Sequence, residues 1–238
     1  MYAAVDSLDM NQTVVDLLAG NAEHAREFAS RFDAVQHGQQ PEAVTVCCSD
    51  SRVLQDHAFG NDTPGRLFTC GNIGNRVVQR TGAGEVISGD VLYPLAHAGT
   101  RTAVVVGHTG CGAVTATYDA LTGNLDAGGE PPGIEHCVGL LAPHLEPGVD
   151  LLPEGLDDAA EVNHLVEYNV DRQIEHLLDS DDVPADTDLI GVVYDFQDVY
   201  DGERGEVHVI NVDGERDPDA LREAHAEVPA RIDRLWTY

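Results

Sequence analysis

The sequence contains no lysine. All 13 of its basic residues are arginine, set against 42 acids, and the formal net charge is −29. A chain so short of cations cannot offer nucleic acid the basic patches that its phosphates reward, and the same deficit argues against anionic membrane surfaces. Long apolar runs are missing as well, with no stretch near the roughly 20 residues that a membrane span requires. The opening MYAAVDSLDMNQTVVDLLAG carries acids where an export signal carries Lys or Arg, so the expected location is the cytoplasm. Paired CxxC motifs are absent, which excludes a four-cysteine structural zinc site and a dithiol redox pair. The five cysteines are odd in number, and Cys47 and Cys48 are adjacent, so a disulfide framework is not expected.

What remains is a chain of 238 residues, 42% of them hydrophobic, enough to pack the core of one substantial α/β domain. The acids are interleaved with periodic apolar segments and do not replace them, which separates this composition from that of a disordered chain. At about 1 M salt the Debye length falls to roughly 3 Å, and self-repulsion that would strain the fold in dilute buffer is screened. The composition therefore predicts a protein of a halophilic archaeon or a similarly salt-adapted organism.

Apolar spacing predicts an amphipathic helix near residues 11–35, carrying Val14, Leu17, Leu18, Phe28 and Phe32. AVTVCC and GRLFTC read as short strands. GAGEVISGDVLYPLAHAG reads as a helix kinked or restarted at Pro94. RTAVVVGHTGCGAVTATYDAL reads as strand, glycine turn and helix, and such alternation favours parallel βαβ units. Residues 123–160 are rich in Gly, Pro and acid, and read as a mostly irregular excursion with one helical turn near Cys137. AAEVNHLVEYNVDRQIEHLL reads as a further helix. DLIGVVYDF and GEVHVINV read as a hairpin turned by DGERG. Asp217 and Pro218 cap and open a last helix. The expected architecture is one α/β domain over residues 1–238, a mostly parallel central sheet flanked by helices. It carries an N-terminal helical segment to about residue 38 and an acidic insertion at about 123–160.

Chemistry concentrates in two stretches. In VTVCCSDSRV, alternation along an extended chain puts Cys48, Asp50 and Arg52 on one face and turns Cys47 into the core. In VVVGHTGCGAV, His108 and Cys111 lie three residues apart across a turn, at a strand end and a helix start. Residues at the carboxyl ends of neighbouring strands converge where open α/β sheets bind ligands. Two thiolates and an imidazole suit zinc, with a fourth position left free, and the helix opening at Cys111 favours a thiolate there. On spacing alone, a metal site and ordinary buried packing residues are equally good readings.

CSDSR at Cys48–Arg52 together with HTGC at His108–Cys111 resembles the β-class carbonic anhydrases, which carry Cys-x-Asp-x-Arg and His-x-x-Cys elements at about this separation. GRLFTCGNIGN, VLYPLAHAGTRTAVVVGHTGCGAV, EYNVDRQIEHL and GVVYD are similar to further family segments, so the resemblance covers roughly residues 40–122 and 160–212. Gly71 departs from it, standing where the family usually has Arg, the residue some members use in a regulatory bicarbonate pocket. Leu92 stands where many members have Glu.

The resemblance implies an α/β fold with Zn2+ held by Cys48, His108 and Cys111, in a homodimer or a dimer of dimers. The implied reaction is reversible hydration of CO2 to bicarbonate and a proton by zinc-bound hydroxide. Asp50 would accept the hydroxide proton and Arg52 would fix the carboxylate. Asp50, swung off Arg52, would be a fourth zinc ligand in a closed state. Gly112 could offer its backbone N–H to a bound anion at the helix start. Tyr93 and Val77 are candidate walls of a CO2 niche, and His57 is a candidate proton shuttle. Two other functions fit the same motifs: hydrolysis of carbon disulfide or carbonyl sulfide, and a catalytically silent zinc-binding structural or interaction protein.

Overall fold

A computed structural model describes residues 11–124 and 129–238, and the chain divides into two compact units, Met1–Gln39 and Gln40–Tyr238. In the first unit, α1 spans Gln12–Phe28 and a 3-10 segment continues over Ala29–Val35, close to the helix that spacing predicts. The Asn11 side chain caps α1 by accepting the Thr13 N–H at 2.8 Å. His24 stacks on Phe28, and the Arg31 guanidinium lies over the Phe28 ring.

The second unit runs β1 (Ala43–Cys48), α2 (Gln55–Ala58), β2 (Leu67–Asn72), β3 (Val78–Thr81), β4 (Gly84–Ile87), α3 (Gly89–His97), β5 (Thr102–His108) and α4 (Gly112–Thr122). It continues with α5 (Pro132–Val149), α6 (Asp158–Leu178), β6 (Asp188–Asp195), β7 (Glu206–Val212) and α7 (Pro218–Ala224). The central sheet has the order β2-β1-β5-β6-β7, and only the β6–β7 pair is antiparallel. The expected α/β class with a mostly parallel sheet is what forms. β1 and β5 are covered on both faces, hence their continuous apolar runs.

Helix α6 lies unusually close to the sheet. A Cβ on Gly107 of β5 would come 2.7 Å from Val170 of α6, and one on Gly191 of β6 would come 2.8 Å from the same side chain. Glycine at these two positions lets the helix seat Val170 and Ile174, both fully buried, against the backbone of the strands.

Two segments differ from their sequence reading. GAGEVI is not helical: Val78–Thr81 and Gly84–Ile87 pair antiparallel as a separate hairpin, and α3 starts only after Ser88, whose side chain accepts the Asp90 N–H. A two-residue Gly82–Ala83 loop and Gly84 at φ 105° close the turn, and Ile87 buries opposite Val78. Pro94 then lies inside an unbroken α3. The carbonyl of Asp90, which lacks a helical donor because proline has no N–H, accepts the Cys70 thiol at 3.4 Å. Burial raises the Cys70 pKa to about 11, so the proton is there to donate.

The larger correction falls on 123–160. Residues 125–128 lie outside those described, but Pro132–Val149 forms an 18-residue helix where one turn was expected. Pro132 opens it, as the first turn allows, while Pro143 and Pro147 each remove an internal hydrogen bond. The interior prolines cost about 3 kcal/mol each. Burial of Leu140, Leu141 and Leu145 returns roughly 1.5–3 kcal/mol apiece, so packing overrides propensity.

The C-terminal segment is fastened to α6 by a buried ionic network. Arg234, 3% exposed, donates to Asp171 at 2.9 Å and stands 3.8 Å from Glu167, both carboxylates being fully buried. Tyr200, Tyr238, Asn211 and the Leu235 N–H supply further donors. Burial nevertheless pushes Glu167 up to about 7, a measure of how much these carboxylates need their cation. Arg234→Ala strands two buried carboxylates and should cost about 3–5 kcal/mol. Urea unfolding in molar KCl measures it, and a loss under about 1 kcal/mol would refute this account.

Candidate metal centre

β1 ends at Cys48 and β5 at His108, on neighbouring parallel strands. After β1 the chain passes to β2 on one side, and β5 lies on the other, so the two residues flank the point where strand order reverses. Cys111 follows on the turn and is the residue from which α4 starts. One ligand atom from each of Cys48, His108 and Cys111 lies within 4.8 Å of the other two, and all three residues are buried. The two sulfurs are 3.8 Å apart.

The atoms are set up as ligands. His108 Nδ1 faces the Thr109 carbonyl at 3.0 Å; a carbonyl only accepts, so Nδ1 carries the proton and Nε2 presents its lone pair. That Nε2 is buried and has no hydrogen-bond partner among the described residues. An unpaired buried imidazole nitrogen among sulfurs costs about 1–3 kcal/mol unless something binds it, and a divalent ion would do so. The hydrogen bond from Cys111, with help from His108 and the Gly74 N–H at 3.4 Å, holds the Cys48 thiol well below its usual range. The same contact with Cys48, together with burial, raises Cys111, as expected of a thiol that donates to a neighbouring sulfur. Cys47 points to the opposite side of the sheet, into a cluster with Val53, Val106 and Val192, and burial raises its pKa to about 12.

Asp50 and Arg52 stand beside this cage, although not by the route expected. The chain leaves extended conformation after Cys48 and turns, with the Arg52 N–H donating to Asp50 Oδ1 at 2.9 Å. The guanidinium then closes a two-pronged contact, Nε to Oδ1 at 2.9 Å and Nη2 to Oδ2 at 2.6 Å. Arg52 holds the Asp50 carboxyl well below the usual carboxylate range. Asp50 Oδ2 is 3.7 Å from His108 Nε2, which places it at the mouth of the cage.

Gly112 opens α4, with nothing within 4 Å of where a Cβ would sit. Val77 is fully buried in the main core, while Tyr93 is half exposed against Phe68 and His97, and His57 is exposed on α2. Several supporting residues escaped the sequence reading. Asn163 accepts the Gly110 N–H at 2.8 Å. The Gly110 carbonyl accepts from Arg52 at 3.1 Å. Phe196 stacks on His108 and lies 4.7 Å beneath the Arg52 guanidinium. Asp195 accepts the Thr109 hydroxyl and three backbone amides, donors that hold its pKa down although burial alone raises it. The only hint in sequence was that Gly110, Asp195 and Phe196 stand at strand ends, and Asn163, inside α6, offered none.

Fold and cage together define an α/β protein with a two-cysteine, one-histidine metal centre at the switch point of a parallel sheet. The family model described as carbonic anhydrase matches residues 43–206, and the chain belongs to that family. It is 33% identical over 89 residues to a carbonic anhydrase of Helicobacter pylori, covering 37% of this chain and 40% of that protein. It is 31% identical over 148 residues to one from Pseudomonas aeruginosa, covering 61% and 63%. The matches thus span 40% and 63% of these relatives' lengths. The solved structure of the β-carbonic anhydrase CcaA shares the fold, with a TM-score of 0.69 and 22% identity over 84% of this chain and 87% of that one.

The adjacent thiols give a direct check on the cage. Cys47→Ala should keep one equivalent of Co2+ with its thiolate-to-metal charge-transfer band, whereas Cys48→Ala should lose that band. Absorption spectra of the two cobalt-loaded variants decide it, and the reverse outcome would assign the wrong sulfur.

Proposed function

We infer that the chain is a zinc enzyme that reversibly hydrates carbon dioxide to bicarbonate and a proton. The observation that carries this reading is the unpartnered His108 Nε2, facing two sulfurs beside an arginine-clamped carboxylate, within residues that match the carbonic anhydrase family. Cys48, His108 and Cys111 would hold the ion, a donor set that suits zinc and leaves a position for substrate. When bound, zinc supplies Lewis acidity that makes hydroxide available near neutral pH.

The remaining work belongs to the protein. Asp50, ionised throughout the neutral range, accepts a hydrogen bond at Oδ2 from the O–H of the attacking oxygen species and so aims its lone pair at the carbon of CO2. Arg52 is the positioning residue, since its two-pronged contact fixes both carboxylate oxygens. Phe196 and the Gly110 carbonyl hold the guanidinium in turn. We assign the Gly112 backbone N–H to the bound anion, at the positive end of α4. Released from Arg52, Asp50 would instead become the fourth ligand and close the site.

Asp50→Asn should retain its metal and lose on the order of 10²-fold in CO2 hydration, as removal of an acid–base group does. Stopped-flow hydration with metal analysis measures both quantities. An unchanged rate in the variant overturns the role of Asp50. Wild-type protein that hydrolyses carbon disulfide but leaves CO2 untouched moves the reaction to that substrate, and zinc without either activity makes the protein a structural zinc module.

Salt adaptation is supported by the −29 charge, and a reducing cytoplasmic setting by five free cysteines. We propose a homodimer or dimer of dimers that depends on salt. Light scattering and circular dichroism should give a defined oligomer in molar KCl that dissociates or unfolds at about 0.1 M, where the Debye length is about 10 Å. Unchanged mass and spectrum on dilution would overturn the salt dependence.

A further inference from the structure

Three elements of the second unit bring together residues to which no role has been given. Glu85 comes from β4 of the hairpin, His144 from α5 and His176 from α6. One ligand atom of each lies within 4.8 Å of the others. Glu85 Oε1 is 2.8 Å from His144 Nε2, and His144 Nδ1 is 3.2 Å from His176 Nε2. The imidazoles meet edge to face, with centroids 4.4 Å apart. The cluster shares no residue with the cage of Cys48, His108 and Cys111.

We propose that Glu85, His144 and His176 form a second metal site, one that takes a divalent transition ion and staples the β3–β4 hairpin to α5 and α6. The first argument is geometric. Ligands at the usual 2.0–2.1 Å around a tetrahedral ion stand about 3.3 Å from one another; one donor atom of each residue here lies within 4.8 Å of the other two, so small side-chain rotations bring all three onto one ion. The second argument is the state of His144 Nε2. It is buried and makes no hydrogen bond among the described residues, although a carboxylate oxygen lies 2.8 Å away, so that approach has the distance of a contact without the alignment of one.

The surroundings add to both. His176 opens onto a cleft of about 290 Å3 that Glu85, Asp179 and Asp182 also line, an acidic entry path for a cation. Two imidazoles and a carboxylate suit Zn2+, Co2+ or Ni2+ and disfavour the all-oxygen preference of Ca2+ and Mg2+. Crossing from a short hairpin to two helices, the ion would tie together segments that are far apart in the chain.

Wild-type protein equilibrated with Co2+ in molar KCl should take up two equivalents. One brings the thiolate charge-transfer band of the cysteine cage, and the other adds ligand-field absorption without it. The double variant His144→Gln, His176→Gln should lose the second equivalent and keep the first. Glu85→Gln, on the exposed hairpin, should weaken the second by at least tenfold and gives the reading should the double variant not fold. The second equivalent should also raise the melting temperature of wild type by several degrees and leave the double variant unmoved. A single equivalent in wild type, identified by its thiolate band, would mean that the cluster is a hydrogen-bonded histidine pair only, and would overturn the proposal. So would a second equivalent that survives the double variant. The thiolate band reports the cysteine cage separately, so loss of the second site and failure of the enzymatic reading cannot be confused.

Discussion

The parallel pairing of β1 with β5 is the constraint on which the metal centre rests. Cys47 pairs with Val106 in that register, and the candidate ligands Cys48 and His108 follow one and two residues later. Sliding one strand by a single residue would turn Cys47 toward the cage and Cys48 away from it, because strand side chains alternate. Nothing in the site itself prevents the slip. Val44, Val46, Ala103 and Val105 do, since each is fully buried in close packing and a slip would exchange them with the differently shaped residues on the opposite face. The chemistry is thus registered by aliphatic packing well away from the ligands.

Cations are scarce, and several arginines have a defined task. Arg52 clamps Asp50, Arg234 pairs with Asp171 and lies beside Glu167, and Arg66 and Arg101 pair with Glu42 and Asp186 at the surface. The two surface pairs are each worth roughly 0–1 kcal/mol, and less in molar salt. Arg234 is screened by protein in place of water, so its contribution survives at high ionic strength. Arginine suits these places better than lysine because its planar fork holds two oxygens at once and sheds water more readily. A chain with a large negative charge can therefore keep its interior neutralised while leaving its surface to the solvent ions.

Much of the centre was legible because strand alternation and the His-x-x-Cys spacing are local rules, and Cys47 and Cys48 do face opposite ways. Asp50 and Arg52 were rightly paired on the wrong geometry. Period-2 reasoning assumes that extension continues, whereas a short-range hydrogen bond from the Arg52 N–H folded the chain back. Helix α5 was illegible for a different reason. Three prolines and several glycines argue for loop, and only the partners of Leu141 and Leu145 in the core, distant in sequence, outweigh them. The β3–β4 hairpin was hidden because four-residue strands are too short for their periodicity to be told from a helical turn.

Helix α6 explains why a buried helix carries so many polar side chains. Asn163 holds the Gly110 N–H, and Gly110 both receives Arg52 and leads into Cys111. Asn169 donates to the Gly74 carbonyl at 3.1 Å, and the Gly74 N–H faces Cys48 Sγ. Gln173 accepts the Val77 N–H at 2.9 Å. One face of a single helix thus sets the loops on both sides of the metal cage. Hydrophobic residues at these positions would fill the space equally well, but each would strand a buried backbone group at a cost of about 1–3 kcal/mol. The amides therefore act less as stabilisers than as gauges of position, and because Gly107 and Gly191 let α6 approach the strands, those gauges stand at a fixed distance from the ends of β1 and β5.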